Sequence, residues 1–151
     1  MIQILPDPAP YDDTHYLLLR GVEGIGVGER VKVSLGETVF LGRSSRCHYS
    51  LKKTPRYLRD RDGERAAIRD SLAYKTVSRR HCRVSYLSPD VVEVQNLSQN
   101  GTFVDGHRVD RVLLHDVRRS THAIRLGQSG DVIEISCGSV EIDQVSVQKS
   151  A

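Results

Sequence analysis

Along most of this chain apolar and polar side chains trade places every second residue. In RVKVSL, Val31, Val33 and Leu35 alternate with Arg30, Lys32 and Ser34, and in HCRVSYL, Cys82, Val84 and Tyr86 alternate with Arg83, Ser85 and Leu87. TVFLG, VVEVQ, TFV, AIRL, DVIEIS and SVEIDQVSV are further β-branched or apolar runs, each bounded by Gly, Asp, Asn or Ser. A period of two places the apolar set on one face of a strand. Strand signals every ~8–12 residues, without alternating helices, predict an all-β sandwich. Within FVDGHRV the Asp105-Gly106 pair predicts a two-residue hairpin, because both central positions of that turn need positive φ.

One stretch breaks the pattern. KKTPRYLRDRDGERAAIRDSLAYKT is interrupted by Pro55 and Gly63, is dominated by charge and has weak periodicity. RYLRDR reads as a helical turn and RAAIRD as an extra strand, within a long charged loop spanning residues 52–75. Loops of that length inside a compact sandwich more often serve function or motion than structure.

Composition adds bounds. The chain has 151 residues, 38% hydrophobic and 27% charged, which suits one globular domain. No apolar run approaches the ~18 residues of a membrane span. MIQILPDPAPYDD carries prolines and aspartates where a secretory signal needs a basic start and an apolar stretch, so a cytoplasmic address is expected. The three cysteines (Cys47, Cys82 and Cys137) are scattered without a CxxC pair, which argues against a disulfide framework or a structural zinc site. Neither a metal nor a cofactor is expected.

Charge is unevenly spread. Between Gly42 and Arg83 stand thirteen basic residues against four acids, a local excess of nine, so the remainder carries −6 to reach the total of +3. Such separation anticipates an anion on the basic side.

Three polar turns then line up in order: LGRSSRC, with Gly42-Arg43; VSRRHC, with Ser78, Arg79, Arg80 and His81; and NLSQNGTFVDG, with Asn96, Ser98, Asn100, Gly101 and Thr102. Arg43 and Arg79 offer planar donor forks that match phosphate geometry, and the Ser78 hydroxyl can donate to a phosphate oxygen. The Asn100 amide can pair with a peptide backbone as donor and acceptor. Each feature alone is ordinary. An isolated Gly-Arg is a solvated turn, a serine before a strand is a turn former, and a histidine at an apolar strand edge is a hydrogen-bonded core residue.

Together, the G-R turn, the S-x-x-H turn and the N-G turn, flanked by NLSQNGTFVDG and LGQSGDVIEI, resemble the forkhead-associated (FHA) family from about Val39 to about Val147. The resemblance implies a β-sandwich of two antiparallel sheets, about eleven strands, that binds phosphothreonine peptides through loops at one end. It places the FHA domain at 16–147 between tails at 1–15 and 148–151. By it, Arg43, Ser78 and Arg79 hold the phosphate, Asn100 grips the peptide backbone, and Gly42, His81 and Gly101 shape the loops. It implies a phosphothreonine-containing partner, such as a Ser/Thr kinase or its substrate, and no catalysis. Two departures stand out. The link from Arg43 to Ser78, usually short in the family, spans 34 residues (44–77), and Asp105 replaces the asparagine common before the hairpin glycine.

Three other functions compete. Nucleic-acid binding is poorly served, since aromatics make up 5% of the chain and stacking platforms are scarce. A Ser78–His81 dyad lacks an acidic orienter and a nucleophile–base geometry. A phosphate-independent docking surface would have no use for the retained arginines and serine.

Overall fold

The computed structural model describes residues 15–139. Eleven strands are described: β1 (His15–Glu23), β2 (Arg30–Ser34), β3 (Thr38–Gly42), β4 (Tyr49–Ser50), β5 (Cys82–Ser88), β6 (Val91–Asn96), β7 (Thr102–Val104), β8 (His107–Val109), β9 (Arg111–Leu114), β10 (His122–Leu126) and β11 (Val132–Ser139). One sheet runs β2-β1-β11-β10-β7-β8 and the other β4-β3-β5-β6-β9. The apolar alternation closes the space between them: Leu17, Leu19, Ile124, Leu126, Ile133 and Ile135 from the first sheet meet Val39, Leu41, Val84, Tyr86, Val92 and Val94 from the second, all essentially buried. The all-β sandwich read from the sequence is the observed architecture. The expected strand through Val147, the C-terminal tail and all but the last residue of the N-terminal tail lie outside the described residues.

One pair departs from antiparallel order. Strands β3 and β4 are parallel, with Leu41 opposite Tyr49 and Gly42 opposite Ser50. Parallel neighbours usually need a long crossover. Here the pair is only two residues long, so residues 43–48 suffice to swing the chain round and resume its direction. The Asp105-Gly106 turn between β7 and β8 has φ of 51° and 85°, as its sequence demands.

The basic stretch is not a loop with an extra strand. It folds into α1 (Pro55–Arg59), α2 (Glu64–Asp70) and α3 (Leu72–Lys75), with single 3₁₀ turns at Leu51–Lys53 and Arg61–Gly63. The helical turn expected in RYLRDR is present, opened by Pro55 in the first turn. RAAIRD is helical rather than extended. Ala66 and Ala67 are strong helix formers, Glu64 and Arg69 suit the two ends of the helix dipole, and Ile68 is the one residue of α2 that is buried. The Ser71 hydroxyl caps α3 by accepting the Tyr74 N–H at 3.3 Å. Buried Tyr57, Ile68 and Tyr74 fasten the insertion to the core.

Candidate functional site

The three turns meet at one end of the sandwich and are stitched together by backbone bonds. Arg43 N–H donates to the Ser78 carbonyl at 3.0 Å and Ser44 N–H to that of Arg79 at 3.1 Å. His81 N–H reaches the Leu41 carbonyl at 2.8 Å, and Leu97 N–H reaches the His81 carbonyl at 2.9 Å. This lacing explains Gly42. A Cβ there would lie 2.3 Å from the Arg79 carbonyl oxygen, so no side chain fits between the first two turns.

His81 is fully buried and ties the second turn to the third. Its Nδ1 accepts the Ser78 backbone N–H at 3.1 Å, and its Nε2 lies 2.6 Å from the Gly101 carbonyl. Because a carbonyl only accepts, Nε2 carries the proton and the ring is neutral. Burial agrees, lowering the pKa from 6.5 against the opposing pull of the Gly101 carbonyl. The imidazole thus engages the Ser78 backbone, and the hydroxyl turns elsewhere, to Ser98 Oγ at 2.6 Å. Gly101 sits at φ +86° and also accepts the Gly127 N–H at 2.9 Å.

Arg43 and Arg79 line one pocket of about 750 Å³ at this end, together with Arg46, Lys52, Tyr74, Arg80 and two serines. No acidic side chain lines it. None of its five cations forms a salt bridge among the described residues, whereas Arg56, Arg65 and Lys75 of the insertion pair with Glu64, Asp60 and Asp70. Aromatic rings hold two of the guanidinium groups. Arg43 lies 5.4 Å over the Tyr74 ring, which stacks on Tyr57 with centroids 6.1 Å apart, and Arg80 lies 4.9 Å over Phe40.

Ser78 and Asn100 are placed differently from the two arginines. Neither lines that pocket. Ser78 sits behind it through its carbonyl bond to Arg43, while Asn100 Nδ2 donates to the Thr76 carbonyl at 2.8 Å. The Asn100 amide therefore holds the end of the insertion. Residues that the sequence did not single out for the site are Arg46, Lys52, Tyr74, Arg80 and Ser98. The one advance signal for Tyr74 was an aromatic residue among basic ones, and it gave no hint that the ring would lie under Arg43.

The sequence matches the family model of the FHA domain over residues 39–136, well over half of the chain, and the protein belongs to that family. FHA domains are interaction modules. No curated protein matches the sequence. Among solved structures, the kinase-interacting FHA domain of kinase associated protein phosphatase from Arabidopsis aligns with a TM-score of 0.58 at 20% identity, over 85% of this chain and 98% of that one. The FHA domain of the CT664 protein from Chlamydia trachomatis aligns at 0.55 and 17% identity, over 80% and 96%. A structure described in terms of phosphothreonine-dependent FHA domain interactions aligns at 0.50 and 22% identity, over 82% and 95%. Among the described residues no helix is long and apolar enough to cross a membrane.

Proposed function

We propose that this domain, spanning 16–147, binds phosphothreonine-containing segments of partner proteins, a Ser/Thr kinase or its substrate, in cytoplasmic signalling. The observation that carries this reading is the convergence of Arg43 and Arg79, without any acidic partner, in one pocket against the Ser78 turn. Two guanidinium forks match the three oxygens of a phosphate monoester.

The serine network supports a donor role for Ser78. Ser98 Oγ accepts the Asn100 N–H at 3.1 Å and lies 2.6 Å from Ser78 Oγ, where either hydroxyl can donate, and a phosphate that draws the Ser78 proton leaves Ser98 as the donor. The Ser78 proton then points away from Ser98 and is available to a phosphate oxygen. Gly42, His81 and Gly101 hold the turns in register, and Asn100 presents its remaining amide hydrogen and carbonyl to the peptide backbone. A relative described as kinase-interacting and another described by phosphothreonine-dependent interactions fit the same reading.

The test is calorimetric titration with a phosphothreonine peptide library and phosphoserine and unphosphorylated controls. Arg43→Ala and Ser78→Ala should each weaken binding about ten-fold or more, since a charge-assisted hydrogen bond is worth roughly 1.5–3 kcal/mol. Equal binding of phosphorylated and unphosphorylated peptides would make the domain a phosphate-independent docking surface. Tight oligonucleotide binding with indifference to phosphopeptide would make it a nucleic-acid binder.

A further inference from the structure

Ahead of His15 the chain reads MIQIL and then PDPAPYDDT. The first five residues carry four apolar side chains, and the next nine carry three prolines and three aspartates. Proline favours extended backbone at ~3.1 Å per residue, so residues 6–14 can reach about 28 Å. Strand β1 is also nine residues long and covers about 30 Å from His15 to Glu23 at ~3.3 Å each. A chain doubling back along β1 therefore brings MIQIL to the loop that follows Glu23.

That loop borders a cleft of about 350 Å³ formed with the insertion. Its apolar lining is Ile25 of the loop, Ala67 and Ile68 of α2, and Ala73 of α3. Arg56 and Glu64, paired at 3.3 Å, are its charged lining, and the Arg56 guanidinium also donates to the Gly24 carbonyl at 3.4 Å. Leu72, between two lining residues, is exposed. A cavity of ~150 Å³ takes a benzene-sized group, so this cleft has room for about two aliphatic side chains. The way to it is cationic. Arg20 and Arg30 stand opposite each other across β1 and β2, a like-charge pair, and Lys32 follows on the same outward face. Arg20 reaches Glu134 at 3.1 Å, while Arg30 and Lys32 are exposed and form no salt bridge among the described residues.

We propose that residues 1–5 of this chain dock in the cleft between the β1–β2 loop and the insertion, with the aspartates of residues 6–14 lying along Arg30 and Lys32. Length, charge and apolar character each match the occupant to the route. Burying Ile2, Ile4 or Leu5 against Ile25, Ala67 and Ala73 supplies the apolar gain, and Asp7, Asp12 and Asp13 offset the unpaired cations. Docked there, the segment braces α2 and α3 against the sandwich, and α3 carries the Tyr74 ring that lies under Arg43. The proposal stands apart from the phosphothreonine reading.

The experiment compares disulfide formation within two double variants of the full chain under mild oxidation, with peptide mapping by mass spectrometry. One joins Ile4→Cys to Ala67→Cys, at an exposed position of the cleft, and the other joins Ile4→Cys to Arg119→Cys. Arg119 is exposed in the turn before β10, at the end of the sandwich where β1 begins, so a freely roaming segment reaches it at least as readily. The Ala67 pair is expected to close about ten-fold faster or more, because docking raises the local concentration. Adding Ile2→Asp and Leu5→Asp should bring the ratio down to about one, and Arg30→Gln with Lys32→Gln should lower it several-fold. Equal rates, or a faster Arg119 pair, overturn the proposal. So does a high ratio that survives Ile2→Asp and Leu5→Asp, which would reflect tether reach alone. Disulfides that form between chains, at a rate rising with protein concentration, would give the cleft to a second copy's segment and overturn docking within one chain.

Discussion

Replacing His81 by alanine tests whether the site is held from inside. The ring is fully buried and makes two hydrogen bonds, to Ser78 N–H and to the Gly101 carbonyl. Gly101 keeps a second partner in Gly127 N–H, so the main loss is the Ser78 N–H, stranded beside a ring-sized void. A buried group without its partner costs ~1–3 kcal/mol, and the void adds to that, giving about 2–4 kcal/mol in all. For a chain of this length that is roughly 5–15 °C in Tm. The pH dependence supplies a second, independent reading. The folded pKa of His81 lies below 6.5, so the unfolded chain binds the proton that the folded one refuses. Its contribution is present above pH 6.5 and is lost as pH falls below that value. Differential scanning calorimetry of both proteins from pH 5 to pH 8 should show a Tm gap that is widest near pH 8 and narrows toward pH 5. A gap of less than about 2 °C, or one independent of pH, would refute the claim that a neutral, buried His81 ties the turns together.

Tyr74→Leu keeps an apolar side chain in the core but removes the ring under Arg43. A cation–π contact of this kind is worth ~0.5–1 kcal/mol, so phosphopeptide affinity should fall roughly two- to five-fold in calorimetry, and unchanged affinity would show that Arg43 needs no shelf. His122 bridges Asp105 at 2.5 Å and Asp116 at 2.7 Å, joining β10 to the β7–β8 hairpin and to the segment after β9. Burial works against its charge, but the two carboxylates outweigh it and raise its pKa above 6.5, so its contribution is full below pH 6.5 and disappears as pH climbs through the raised value. Thermal melts of His122→Ala should accordingly lie furthest below the unaltered protein near pH 6 and converge with it by pH 9, opposite in sense to His81→Ala.

Strand positions were legible because their signal is local. The alternation of Cys82, Val84 and Tyr86 assigns the core face of β5 without reference to its neighbours, and Asp105-Gly106 fixes a turn through the φ preferences of two residues. The order of the Gly42-Arg43, Ser78–His81 and Asn100-Gly101 turns was equally plain. What the chain did not disclose is where residues distant in sequence meet. RAAIRD has too short an apolar pattern to separate strand from helix, and the burial of Ile68 in the core decided between them. The stacking of Arg43 on Tyr74, the turn of the Ser78 hydroxyl to Ser98 and the hold of Asn100 on Thr76 all join residues that no periodicity relates. Local preference chose the strands and turns. Which cations face a common pocket was decided by tertiary contacts: backbone bonds lace the turn that carries Arg43 and Arg46 to the turn that carries Arg79 and Arg80, and the burial of Tyr74 brings its ring under Arg43.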